Sequence, residues 1–191
     1  MIRKKTKLML VFFIVMLSLG ITGCSQAASV PDVANKDQNV EVLFDAPSFS
    51  RITKAALFEK FGETSDIEKW NNKTEKGTFP MTIYSYDDKN SNHYEFIIAD
   101  DKDSVVRVTI YSSKNWAGKG TDLKYQNKTM KDMLALLNII PNDTAKVTDT
   151  GYAYRISPVS DKVGDVWFTG ISKDDSIFEM VKITYNLNYF D

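Results

Sequence analysis

The stretch YEFIIADDKDSVVRVTIY, residues 94–111, decides the fold of this chain. It holds two runs, 94–99 and 105–111, rich in the β-branched and aromatic residues that favour strands. The polar residues between the runs, Asp100 to Asp103, are of the kind that form tight turns. The stretch therefore predicts an antiparallel β-hairpin.

A second stretch, WFTGISKDDSIFEMVKITY at residues 167–185, follows the same plan. Phe96 and Asp103 are seven positions apart, as are Phe168 and Asp175. Similarity at a fixed offset is typical of an internal repeat. The alternative is that two unrelated hairpins have converged by chance.

Each predicted hairpin is preceded by a segment with helical periodicity. The first starts at Thr53, a good N-cap residue, and stops at Gly62. The second starts at Thr129, and its apolar stripe is Met130, Met133, Leu134 and Leu137. With further strand-like runs at 81–86 and 151–156, this predicts an α+β fold. It would have two tandem units, 45–122 and 123–191, each a short helix packed on an antiparallel β-meander.

Two families of small helix-plus-sheet modules share this pattern. Thr53–Gly62, then Trp70, then VVRVTIY at 105–111, resembles the modules of the SmpA/OmlA family and of the β-lactamase inhibitory protein family. The resemblance covers about residues 45–190 and implies a binding protein with two tandem modules. The chain departs from the inhibitory proteins in having no Cys after Cys24, whereas those are stapled by disulfides.

The N-terminus has the three parts of a secretory signal. Four basic residues precede Leu8, and residues 8–21 form an uncharged apolar run, too short to span a membrane as a helix. The run ends in ITGC, residues 21–24, which resembles the lipobox of bacterial lipoproteins. That resemblance implies cleavage before Cys24 and a diacylglycerol on its sulfur. The alternative is an ordinary signal peptide followed by a chance Cys.

A lipid on Cys24 would anchor the protein to the extracytoplasmic face of the cell membrane. Residues 1–23 would be the signal peptide, and residues 24–44 a flexible linker with a reach of roughly 25 Å. Cleavage removes 4 of the 24 basic residues and none of the 25 acidic ones. The mature chain therefore has a net charge near −5 instead of −1.

The composition excludes several kinds of function. One Cys and one His rule out multi-cysteine and multi-histidine metal sites, and a net charge of −1 gives no case for nucleic-acid binding. The chain has no GxSxG or SxxK motif, so we expect no catalytic residues, metal or cofactor. His93 is interpreted as a solvent-facing strand residue because no partner motif accompanies it.

The acidic and glycine-containing segments are interpreted as connections. Asp100–Asp103 and Lys173–Asp175 lack the central Gly and final Glu of a calcium loop, and each contains a Lys. Gly118–Thr121 lacks the spacing of a phosphate-binding loop. We interpret the two acidic segments as solvated turns and Gly118–Thr121 as part of the link between the units.

The aromatic residues are the remaining candidates for a site. Exposed Trp residues are favoured anchors of protein interfaces, although strands usually bury them. Trp70 and Trp116 are predicted to bind a partner, and Trp167 to lie in the core. The predicted function is a non-catalytic, lipid-anchored module that binds a protein at the cell envelope. The alternatives are an enzyme acting on cell wall or peptides and a structural or assembly factor of the envelope.

Overall fold

Nine strands and two short α-helices make up the described part of the chain. A computed structural model describes residues 28–29, 42–88, 92–111, 129–169 and 180–190, with the backbone alone for the first pair. Within these ranges the strands are β1 Ala28–Ser29, β2 Ile67–Thr74, β3 Gly77–Asp87, β4 His93–Ala99, β5 Ser104–Tyr111, β6 Lys146–Asp149, β7 Ala153–Ser157, β8 Asp165–Thr169 and β9 Met180–Thr184. The helices are α1 Lys54–Phe61 and α2 Met130–Leu136, and two 3₁₀ turns occupy Ala46–Phe49 and Leu187–Tyr189.

All nine strands belong to one antiparallel sheet. Its order is β1-β6-β7-β8-β9-β5-β4-β3-β2, and β1 adds only two residues at one edge of the other eight strands. The predicted hairpin at 94–111 is confirmed as β4 and β5, which pair antiparallel. β5 also pairs antiparallel with β9, so the strands from the two halves of the chain are hydrogen-bonded side by side.

The predicted helix starts are confirmed. The Thr53 hydroxyl accepts a hydrogen bond from the Ala56 N–H at the start of α1, and Gly62 follows the helix with a φ of 83°. At the start of α2, Thr129 and Asp132 cap each other's backbone N–H groups as a capping box. Both helices are short, however, with eight and seven residues.

The prediction of an α+β fold with two tandem helix-on-meander units is wrong, and the protein is mainly β. One row of directly paired apolar residues runs through seven strands: Tyr84, Phe96, Val108, Ile183, Val166, Ile156 and Val147. All seven are buried in one core cluster. Because a continuous sheet and one shared core span both halves, neither half forms a unit of its own. The predicted division between residues 122 and 123 lies outside the described residues.

Both helices pack on the same side of the sheet. Leu57 of α1 and Leu134 of α2 belong to the same buried cluster as Phe96, and Phe44, just before the first 3₁₀ turn, joins them there. Since side chains alternate along a strand, the residues between these core positions point to the opposite side. We call that opposite surface, carrying Arg107, Thr109, Trp167 and Lys182, the polar face.

Candidate functional site

The polar face has a row of polar and charged side chains across its middle. Paired residues from β7 to β3 are Arg155, Trp167, Lys182, Thr109, Glu95 and Ser85. A second row beside it includes Asp165, Thr184 and Arg107. Within the described ranges, no helix covers this face, and only the C-terminal segment 187–190 packs on part of it.

A cavity of about 260 Å³ lies between the two rows and the C-terminal segment. Its walls are formed by residues of β5, β8 and β9, by residues of β2 and by the C-terminal segment 187–190. The residues that give it its chemistry are Arg107, Lys182, Asp165, Trp167, Asn72 and Phe190. Composition alone does not predict such a site, because the chain has nearly equal numbers of basic and acidic residues, 24 and 25, while this cavity has more cations than carboxylates in its walls.

Asp165 is the buried carboxylate of the cavity. It is 2% exposed, and its Oδ2 accepts hydrogen bonds from Arg155 Nε at 3.1 Å and from Trp167 Nε1 at 3.0 Å. Arg155 Nη2 lies 3.0 Å from the same oxygen. The other oxygen, Oδ1, is buried without a hydrogen-bond partner among the described residues. The charge of Asp165 is thus matched by Arg155, whose side chain is 38% exposed.

Arg107 and Lys182 lie beside this ion pair. Arg107 Nε donates to Thr184 Oγ1 at 3.0 Å, and its guanidinium lies 3.4 Å from the centre of the Phe190 ring. Burial lowers the pKa of Arg107 to about 10, and the nearby Asp165 opposes that shift. Burial also lowers the pKa of Lys182, and the charge of Arg107 adds to the effect. Neither residue has an ion-pair partner within 4.0 Å in the described part of the chain.

His93 lies at the far end of the polar face, in contact with two carboxylates. Its Nδ1 is 2.8 Å from Asp87 Oδ1, and its Nε2 is 3.8 Å from Glu95 Oε1. The Tyr111 hydroxyl donates to Glu95 Oε2 at 3.1 Å, and burial followed by the charge of Glu95 raises the pKa of that hydroxyl. The imidazole is 12% exposed, so His93 is more enclosed than the solvent-facing residue we predicted. The groups that contact its two ring nitrogens are carboxylates, which orient the ring and supply no nucleophile.

The predicted aromatic residues have different outcomes. Trp70 lies half-buried in β2, opposite Met81, and packs on a small apolar cluster of the polar face that includes Ile97 and Tyr189. Trp167, which we predicted to lie in the core, instead lines the charged cavity, with Arg155 stacked 5.1 Å from its ring. Trp116 and Cys24 lie outside the described residues.

The acidic turn at 100–103 is tied into the fold. Asp100 accepts a hydrogen bond from the Thr82 hydroxyl at 2.8 Å, and Asp101 accepts one from the Tyr189 hydroxyl at 3.1 Å. In the ranges that the structure covers, no group of three or more His, Cys, Asp or Glu residues could hold a metal ion. Gly118–Thr121 and Lys173–Asp175 lie outside those ranges.

Sequence reasoning missed Arg107, Lys182 and Asp165. The available signal was the alternation of side chains along β8. Val166 and Phe168 point into the core, so Asp165 and Trp167 must point to the polar face. Recognising the cavity also required the pairing of β5 with β9, which joins residues 69 to 77 positions apart.

The comparisons with known proteins give no relative for this chain. No family model, curated protein or solved structure matches it. None of the helices in the described ranges is long and apolar enough to cross a membrane.

Proposed function

We propose that this chain is a non-catalytic binding module, anchored by lipid at Cys24 to the extracytoplasmic face of the cell membrane, whose polar face binds an acidic segment of a protein partner. The single observation that carries the proposal is the cationic cavity on the polar face. The lipid anchor rests on the basic start, apolar run and ITGC of residues 1–24.

Charge complementarity favours an acidic partner. The cavity region holds Arg107, Lys182, the exposed Lys73 and the Arg155–Asp165 pair, so three positive charges remain unbalanced. The mature chain as a whole is acidic, with 25 acidic residues. An acidic partner would therefore be repelled by most of the surface and attracted to this one region, which gives both orientation and selectivity.

The aromatic residues of the polar face extend the same surface toward β2. Trp70 and Phe79 pack against the small apolar cluster there and stay partly exposed. Partly exposed Trp residues next to charged groups are frequent anchors in protein interfaces. Trp116 remains a predicted contact of the same partner.

Site-specific photo-cross-linking in intact cells tests which surface binds. A photoreactive amino acid is placed at Glu68 or Thr148, exposed positions near opposite edges of the polar face, or at Glu59, an exposed position on α1. We expect a cross-linked product of the same mass from Glu68 and Thr148 and none from Glu59. A product from Glu59 alone, or none from any position, would overturn the proposal.

A further inference from the structure

The geometry points to a more specific role for the cavity. We propose that Arg107 and Lys182 form a carboxylate-binding site that receives an acidic side chain. That the side chain belongs to a protein partner rests on the proposed function, whereas the site itself can be tested without any partner.

The donors needed to bind a carboxylate are present. Thr184 occupies only the Nε of Arg107, and the Nη groups have no hydrogen-bond acceptor within the described ranges. The central carbon of the guanidinium lies over the Phe190 ring, 3.4 Å from its centre, and this contact restricts where the group can move. A planar guanidinium with free N–H groups matches the two oxygens of a carboxylate. Lys182 adds a second cation from the neighbouring strand.

Partial burial of these cations favours an anionic ligand. Burial lowers the pKa of both Arg107 and Lys182, because water is kept away from their charges. In such a place the attraction to an incoming anion is less screened than at the open surface. A bound carboxylate would replace the hydration that these side chains have lost and would stabilise their charged forms.

Asp165 lowers the affinity of the cavity for any anion, and the apolar walls beside it favour a carboxylate on a carbon chain over inorganic phosphate. Its buried charge is part of the cavity wall and is balanced by Arg155. It repels any entering anion, whereas Arg107 and Lys182 attract it. Both effects are about twice as large for a phosphate dianion as for a singly charged carboxylate, so charge alone does not select the carboxylate. Trp167 and Phe190 supply apolar walls beside the charges, as needed for the CH₂ groups of a Glu side chain.

The test is an NMR titration of the full-length lipidated protein in detergent micelles. The probes are N-acetylglutamate α-amide, which has only a side-chain carboxylate, N-acetylglutamine, which has only a terminal carboxylate, and inorganic phosphate, all at constant ionic strength. We expect the side-chain carboxylate to bind most tightly and to shift the Arg107 Nε–H signal. Tighter binding of phosphate or of N-acetylglutamine would overturn the assignment to an acidic side chain.

Three variants locate the binding. Lys182→Met removes one cation of the site and should weaken binding of N-acetylglutamate α-amide roughly tenfold. Asp165→Asn removes the charge that repels the ligand and should strengthen binding. Structural damage would instead weaken binding, so the two effects can be told apart. Lys69→Met removes an exposed cation from the other side of the sheet and should leave the affinity unchanged.

The outcomes separate this inference from the proposed function. Equal affinities for Lys182→Met and Lys69→Met, or weaker binding by a folded Asp165→Asn, would exclude the carboxylate site. If N-acetylglutamate α-amide binds as expected but cross-linking finds no partner, the carboxylate site is supported and the proposed protein-binding function is overturned. Backbone amide spectra of each variant show whether it is folded. If either Lys182→Met or Asp165→Asn is misfolded, the affinity of the other variant tests the carboxylate site.

Discussion

Phe96→Ala is expected to lower the free energy of unfolding by about 4 kcal/mol. Phe96 is 0% exposed and lies on β4, an interior strand of the sheet, in the row that crosses seven strands. Its ring contacts five other aromatic rings with centroid distances from 5.0 to 6.4 Å: Phe44, Phe49, Phe61, Tyr86 and Tyr94. Truncation would leave a cavity that these rings, fixed by strands and helix α1, can fill only in part.

Urea-induced unfolding followed by tryptophan fluorescence measures this loss. Tyr152→Ala is the matched control, because Tyr152 is also aromatic but 88% exposed, and its replacement should change the stability by no more than about 0.5 kcal/mol. Since one core spans the sheet, we expect a single cooperative transition. Two separate transitions in the parent protein, or equal effects of the two substitutions, would contradict the continuous sheet.

Cys24→Ala is expected to abolish lipid labelling completely. Cys24 is the only Cys in the chain, so a thioether-linked diacylglycerol can form nowhere else. Each buried CH₂ of an acyl chain contributes about 0.8 kcal/mol, and two chains give stable anchoring where one does not. Losing the Cys therefore removes the predicted anchor as a whole.

Incorporation of radiolabelled palmitate in growing cells checks this prediction. The parent protein should be labelled and Cys24→Ala should not. Ser25→Ala is the control, because it changes the next residue and leaves the ITGC stretch intact. An unlabelled parent protein, or equal labelling of Cys24→Ala, would show that residues 1–24 are not a lipoprotein signal.

Local features of the fold were predictable where one residue type has one strong preference. Thr53 and Thr129 are good N-caps, and both helices begin directly after them. The apolar hairpin at 94–111 was also clear. Strand β2 could not be predicted in this way, because IEKWNNKT at 67–74 lacks the apolar alternation of a strand. It lies at an edge of the sheet with most of its side chains in solvent.

The arrangement of the two halves depends on contacts between residues far apart in sequence. The helical segments suggested an α+β fold, but α1 and α2 add only 15 residues to a sheet of nine strands. Pairing of β5 with β9 merges the halves and places Arg107 next to Lys182. Neither residue carries a local signal of a site, since single cations in strands usually face solvent.

The central claim is that the charged cavity of the polar face holds the partner. The most direct measurement is cross-linking in intact cells from Thr148, repeated in chains that also carry Lys182→Met or Lys69→Met. Thr148 is exposed and lies in the same row as Lys182, three strands away, with Arg155 and Trp167 between them. We expect Lys182→Met to reduce the cross-linked product to background and Lys69→Met to leave it unchanged. Equal yields in the two chains would contradict the claim.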